Sequence, residues 1–130
     1  MAKFNLKDFL NGMNNTKDHS ARFEMQDIRD NTTMSILAYI SWLVLFPLIM
    51  RKDSKYTRFH CNQGLVLAIV ETVGVILLNI LGKLPLIGWI FVIAKVLLEI
   101  VCILFALLGV TNVLQNKAKE LPYIGNIKIL

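Results

Sequence analysis

The sequence predicts an all-α, multi-pass membrane protein with three transmembrane helices, the last two of which form a hairpin. The first observation is composition: 55% of the 130 residues are apolar and the mean hydropathy is +0.58, above the roughly 45–50% apolar share of soluble domains. The second is clustering, because the apolar residues concentrate in three runs, 34–50, 64–81 and 86–110. A bilayer selects such runs, since each crossing needs about 20 continuously apolar residues.

Residues 1–26 are predicted to form a polar N-terminal tail ahead of a helical membrane domain, residues 27–130. In the tail, apolar residues at helical spacing predict a short amphipathic helix: Leu6, Phe9, Leu10 and Met13. Two interpretations stay open. The helix lies on the membrane surface, or it is a brief element in a mostly disordered tail.

The first span is predicted over about residues 32–50. Asp27, Asp30 and Asn31 are candidate helix N-caps ahead of it. Pro47 is expected to kink or end the helix, because proline removes a backbone donor.

The second and third spans are predicted over about residues 62–82 and 86–110. Gly82, Lys83 and Pro85 between them indicate a tight turn. Trp89 follows where an aromatic belt residue is expected, just inside the next interface. The two spans therefore form an antiparallel hairpin, followed by a tail over residues 111–130.

Orientation follows from the basic residues that flank the spans. The loop after the first span carries four of them and is predicted to face the cytoplasm and its anionic lipids: Arg51, Lys52, Lys55 and Arg58. Three crossings place the C-terminal tail on the same side and the N-terminus outside, which requires Lys17, Arg22 and Arg29 to cross. A first segment that enters the bilayer and returns without crossing is the alternative that removes this conflict.

Three ionisable residues interrupt the apolar runs: Glu71, Lys95 and Glu99. A charge near the bilayer centre costs about 2.5–3.5 kcal/mol on insertion scales, so each needs a partner. Counting from the turn puts Glu71 and Lys95 at similar depth, which predicts that they pair, with Glu99 on the same face of the third helix. Either this intramembrane polar cluster fixes helix register, or it lines a path for a proton, an ion or a polypeptide.

No catalytic, cofactor or metal site is predicted. Cys61 and Cys102 stand far apart, with no CxxC motif or histidine at metal-ligand spacing. His60 has no paired nucleophile or carboxylate. The net charge of +5 does not indicate a nucleic-acid partner, because the basic residues flank the apolar runs and form no aromatic-interleaved patch.

A signature stretch at residues 53–65, DSKYTRFHCNQGL, resembles that of a family of small bacterial membrane proteins of unknown function. That family is similar to the twenty-kilodalton Tic subunit of the chloroplast protein-import machinery. The segment around Asp27 and the motif LPYIG at residues 121–125 agree with it, so the resemblance covers about residues 27–130. It implies a membrane module linked to protein translocation.

The same stretch predicts an interfacial motif where the basic loop meets the second span: Arg58, His60, Asn62 and Gln63. Such side chains are expected to hydrogen-bond lipid phosphate, to cap the helix, or to clamp the C-terminal tail near Pro122.

The sequence therefore predicts a non-enzymatic structural or interaction module of the cell membrane, linked by the resemblance to translocation. The alternative is a small oligomeric channel or carrier that uses Glu71, Lys95 and Glu99, since so few helices need to oligomerise to enclose a pore. A third hypothesis is lipid binding through Arg58 and the basic loop. The expected partners are the lipid bilayer, anionic lipids at that loop, and a second copy or another membrane protein.

Overall fold

The computed structural model describes residues 6–13 and 16–130. Its helices are α1 (Leu6–Met13), α2 (Met25–Asp30), α3 (Thr32–Leu37), α4 (Leu45–Met50), α5 (Lys55–Leu81) and α6 (Gly88–Leu114), with 3₁₀ turns at Ser20–Arg22 and Ser41–Val44. The described residues form no strand beyond one isolated bridge between Asp18 and Lys119. The all-helical prediction is confirmed. Of the amphipathic face predicted in the tail, the side chains of Leu6 and Leu10 lie outside the described residues.

Within residues 6–13 and 16–130, two helices are long and apolar enough to cross a membrane, α5 and α6. Each has 27 residues, about 40 Å of helix against about 30 Å of hydrocarbon. They pack side by side as the predicted hairpin, joined by a turn over residues 82–87. Gly88 allows this turn to be tight, because a Cβ there would lie 2.3 Å from the Gly82 carbonyl oxygen.

Both helices extend beyond the predicted spans. α5 begins seven residues before position 62, where the Ser54 hydroxyl caps it by accepting from the Thr57 amide at 3.1 Å. Tyr56, Thr57 and His60 in these first turns are buried against other parts of the chain. Hydropathy misses this part of the helix because protein, and not lipid, covers it.

The segment predicted as the first span, residues 32–50, is not one helix; we call it the first segment. α3 ends at Leu37, the chain is irregular over residues 38–40, and a 3₁₀ turn leads into α4. Ser41 takes a positive φ of 47°. Pro47 sits in the first turn of α4, where its missing amide hydrogen has no helical acceptor to lose. It therefore begins a helix instead of ending one.

The two ends of the first segment meet at the same end of the hairpin. The Asp27 carboxylate, just ahead of it, accepts from the Ser54 hydroxyl at 2.5 Å and from the Tyr56 amide at 3.0 Å, just after it. In between, the Trp42 indole donates to the Thr72 hydroxyl at 2.9 Å, far along α5. The first segment thus runs beside α5 as far as Thr72 and comes back.

Two glycines let the first segment pack against the hairpin. A Cβ on Gly64 would lie 1.6 Å from the Ala38 carbonyl oxygen, and one on Gly109 would lie 2.2 Å from the Tyr39 ring. Ala38 and Tyr39 are buried there together with Leu67, Phe105 and other members of the main apolar core.

We call the end of the molecule that holds the start of α5 and the end of α6 the base. It also contains residues 16–31 and the C-terminal tail, residues 115–130. All the buried polar side chains of the described residues lie in the base or next to it: Asn31, Ser35, Ser54, Thr57, His60, Asn62, Gln63 and Asn112. None of the buried side-chain nitrogen and oxygen atoms in the described part of the chain lacks a hydrogen-bond partner.

Replacing Gly64 with alanine tests this packing. Alanine in a helix is favoured over glycine by about 1 kcal/mol, but here its Cβ meets a backbone carbonyl that cannot rotate away. We expect Gly64→Ala to lower the free energy of unfolding in detergent by at least about 1–3 kcal/mol, the usual cost of overpacking. Gly12→Ala is the matched control, because nothing lies within 4 Å of a Cβ on Gly12. Equal stability of the two variants would contradict the close approach of Ala38.

Candidate functional site

The base is built around His60, one of the predicted interfacial residues. Its Nε2 lies 3.1 Å from the Lys117 carbonyl oxygen and its Nδ1 lies 2.5 Å from the Tyr39 hydroxyl. A carbonyl oxygen only accepts, so Nε2 carries the hydrogen and donates, while Nδ1 accepts from Tyr39 in the neutral ring. Both ring nitrogens are occupied, and the ring is fully buried. His60 therefore joins the first segment to the C-terminal tail and has no free nitrogen for catalysis.

Asn62 and Gln63 hold the C-terminal tail by its backbone. The Asn62 amide donates to the Ile127 carbonyl at 2.8 Å and accepts from the Ile129 amide at 2.7 Å. The Gln63 amide donates to the Gly125 carbonyl at 2.9 Å and accepts from the Leu121 amide at 2.8 Å. Each side-chain amide thus binds the tail's backbone both as a donor and as an acceptor. Of the three roles expected for the motif, these hydrogen bonds of Asn62 and Gln63 correspond to the third, clamping of the C-terminal tail.

Two residues outside the predicted interfacial motif complete this network. The Tyr56 hydroxyl donates to the Lys117 carbonyl at 3.1 Å, so Tyr56 and His60 share one acceptor. Asp27, expected as a helix N-cap, lies inside α2 and binds Ser54 and Tyr56 instead. The sequence signal for Tyr56 was its presence in the stretch that carries the family resemblance, whereas Asp27 was expected to cap a helix and not to bind the start of α5.

Residues 16–23 complete the base by pairing with the C-terminal tail. The His19 amide donates to the Ala118 carbonyl at 2.8 Å. Nearby, hydrogen bonds from the Ser20 hydroxyl and amide lower the pKa of the Asp18 carboxyl, because they stabilise its ionised form.

Arg58, the fourth member of the motif, is exposed and lines a cleft of about 620 Å³ on the surface of the base. The other basic residues that line this cleft are Arg22, Lys55 and Lys128. His19 also lines it, and its ring lies 3.4 Å from the Glu120 carboxylate. Arg58 thus differs from His60, Asn62 and Gln63, because its charged side chain is exposed to solvent or to a lipid headgroup.

The intramembrane residues are arranged differently from the prediction. Lys95 donates to the Asn79 side chain at 2.9 Å and not to Glu71. Glu71 instead faces Glu99, close enough for a hydrogen bond between the two carboxyl groups.

The pairing prediction failed for a geometric reason. Side chains on a helix point toward its N-terminus, which lies at the turn for α6 and at the base for α5. Lys95 therefore reaches up toward Asn79, near the turn. Glu99, eleven residues after Gly88, lies at about the depth of Glu71, ten residues before Leu81.

A crevice of about 190 Å³ opens beside Glu71, between the tip of the first segment and the hairpin. Tyr39, Ser41 and Cys102 are among its lining residues. Among the residues that the structure describes, no group of three His, Cys, Asp or Glu side chains is placed to hold a metal ion.

The tail clamp is tested by substituting Asn62 and Gln63 together with alanine. Each buried backbone group left unpaired costs roughly 1–3 kcal/mol, so the tail should detach locally while the hairpin stays folded. We expect hydrogen exchange of the amides of residues 121–130 to speed up by about tenfold or more, since about 1.4 kcal/mol is one factor of ten. Gln115→Ala, at an exposed position, is the control. Unchanged exchange in the double variant would contradict the clamp.

Comparison with known proteins identifies the chain's relatives. The model of the magnetosome magnetite crystal formation protein family matches residues 30–130. The chain is 32% identical to magnetosome protein MmsF of Paramagnetospirillum magneticum over 95 residues, 72% of this chain and 81% of MmsF. It is 31% identical to magnetosome protein MamF of the same organism over 93 residues, 71% of this chain and 77% of MamF. No solved structure matches.

These matches correct one prediction. The similarity to the twenty-kilodalton Tic subunit is wrong, because the family model and both relatives are magnetosome proteins, and the link to protein translocation that rested on it is withdrawn. The membrane prediction stands, since α5 and α6 form an apolar hairpin. The matched region takes in the first segment, the hairpin and the C-terminal tail, and the chain belongs to the MamF/MmsF family of magnetosome magnetite crystal formation proteins.

Proposed function

We propose that the chain is a non-enzymatic protein of the magnetosome membrane that crosses the bilayer twice and acts in magnetite crystal formation from its cytoplasmic side. The magnetosome location and the link to magnetite come from the family and from the relatives' names. The proposal of two crossings and of a cytoplasmic base is supported by the arrangement of the base and the distribution of its charges.

The distribution of cations supports this orientation. Most lysines and arginines of the described chain lie at the base: Lys17, Arg22, Arg29, Arg51, Lys52, Lys55, Arg58, Lys117, Lys119 and Lys128. The turn over residues 82–87 contains only Lys83. The positive-inside rule then places the base in the cytoplasm. With the first segment returning to the base, Lys17, Arg22 and Arg29 remain on the cytoplasmic side and the conflict of a three-crossing topology disappears.

The observation that carries the proposal is the shortness of the turn. On the side away from the cytoplasm, the protein between α5 and α6 offers six residues, of which Lys83 is the only charged one. Carboxylates and other oxygen ligands are what hard metal ions and their oxides bind, and this turn has no carboxylate. We infer that the chain does not template the mineral there but acts through the base, on lipid or on another protein.

The channel hypothesis gains less support. Lys95, one of the three residues on which it rests, binds Asn79 and leaves Glu71 and Glu99 facing each other. Two crossing helices also enclose no pore by themselves.

Expression in a Paramagnetospirillum magneticum strain that lacks MmsF tests the proposed function. We expect the chain to shift the size distribution of magnetite crystals, seen by electron microscopy, away from that of the empty strain. Lys83→Gln, in the turn, should act as the unmodified chain does. The double substitution of Asn62 and Gln63 with alanine, in the base, should lose most of the effect.

Immunoblots of isolated membranes control for the amount of each variant. A chain that reaches the membrane and leaves the crystals unchanged would contradict a role in crystal formation. A turn variant that loses the effect while the base variant keeps it would contradict action through the base.

A further inference from the structure

The two halves of the hairpin differ in what surrounds them. In the half nearer the base, ten residues of α5 between Tyr56 and Ala68 are buried, as are six of α6 between Cys102 and Val113. In the half nearer the turn, no residue of 69–81 or 89–101 is buried. The first segment, residues 16–31 and the C-terminal tail together account for this contrast, because all three pack toward the base, and the first segment reaches along α5 only as far as Thr72.

The first segment reaches about the middle of the bilayer. Its tip residue Trp42 binds Thr72, which lies nine residues before the end of α5 at Leu81, or about 14 Å at 1.5 Å per residue. The hydrocarbon is about 30 Å thick. If the turn marks one edge of the hydrocarbon, the first segment occupies the leaflet on the base side and stops at the midplane.

The outer surface of the first segment is suited to lipid. Its large apolar side chains are between 44% and 69% exposed: Ile40, Trp42, Leu43, Leu45, Phe46, Ile49 and Met50. No other part of the described chain packs over the exposed faces of these side chains. Apolar side chains in such a row lie in hydrocarbon and not in water.

The cross-section of the protein is therefore larger in one leaflet than in the other. The turn-side leaflet holds two helices, whereas the base-side leaflet holds the same two helices and the two arms of the first segment. With a helix diameter of about 10 Å, the arms add on the order of 80–160 Å² to the base-side leaflet alone. A bilayer accommodates such a wedge best when that leaflet is convex and its area is expanded.

We propose that the chain is a curvature-sensing wedge, and that its preferred partner is a strongly curved phospholipid bilayer whose base-side leaflet is convex. The inference rests on the two-crossing topology of the proposed function. With the base in the cytoplasm, the convex leaflet is the outer surface of a small closed compartment inside the cell. The wedge concentrates the chain in such a compartment and excludes it from flat membrane.

Reconstitution into liposomes of one lipid composition and mixed diameter tests the wedge. The chain carries a fluorescent label at one added cysteine, Leu86→Cys in the turn, with Cys61 and Cys102 replaced by alanine. Fluorescence per unit area is measured vesicle by vesicle against diameter. A membrane-impermeant quencher, which darkens the label only where the turn faces outward, separates the two orientations, and external protease then digests the base only where it faces outward.

We expect base-outward molecules to become several-fold denser as diameter falls from hundreds to tens of nanometres. Base-inward molecules meet a concave leaflet and should become sparser, which makes them an internal control. A density independent of diameter in both orientations would overturn the wedge. The same digestion reports topology, because two crossings expose residues 16–31 and 117–130 together. If label density does not depend on diameter while residues 16–31 and 117–130 are digested together, only the wedge is contradicted. If the two regions are digested from opposite sides, the proposed topology is contradicted.

A variant pair checks the role of the first segment. Phe46→Gln with Ile49→Gln should draw α4 out of the hydrocarbon and flatten the dependence on diameter. Phe46→Leu with Ile49→Leu keeps the segment apolar and should preserve it. A steep dependence in the glutamine pair would assign curvature sensing elsewhere and contradict the proposal. Should the glutamine pair fail to reconstitute, the curves of the two orientations still decide the question.

Discussion

The hydrogen bonds of the Asp27 carboxylate to Ser54 and Tyr56 close the first segment into a loop, and the arrangement of the rest follows from that closure. Because the chain returns to the end from which it set out, α5 and α6 alone cross the membrane in the proposed topology. Residues 16–31 and the C-terminal tail then lie on one side. There His60, Asn62 and Gln63 hold the C-terminal tail, and residues 16–23 pair with that tail to complete the base.

An irregular backbone inside a membrane has to be covered by protein, because hydrocarbon offers no hydrogen bonds. Ala38 and Tyr39, at the start of the irregular stretch, meet this requirement because Gly64 and Gly109 let them lie buried directly on α5 and α6. The same close packing thickens only the base half of the hairpin. The asymmetry that we interpret as a wedge thus follows from the way the loop is stabilised.

The hairpin was predictable because hydropathy and the Gly82–Pro85 turn are local signals. The return of the first segment was not, since it depends on Asp27 meeting Ser54 and on glycines distant in sequence. Counting the basic residues did indicate the conflict that the return of the first segment resolves.

Counting residues from the turn misplaced the Lys95 side chain, because it ignored the direction in which helical side chains point. The motif around His60 was found, and clamping of the C-terminal tail near Pro122 was one of its three expected roles, but spacing could not choose among those roles. The short signature also misdirected the family assignment, which needed a match over residues 30–130.

Labelling of single cysteines in spheroplasts tests most directly whether the first segment returns. With Cys61 and Cys102 replaced by alanine, Glu24→Cys, Leu86→Cys and Lys128→Cys mark the N-terminal region, the turn and the C-terminal tail, all at exposed positions. The proposed topology predicts that a membrane-impermeant maleimide labels position 86 in intact spheroplasts, and positions 24 and 128 only after permeabilisation. Labelling of positions 24 and 86 from the same side, with 128 on the other, would show three crossings and contradict the account.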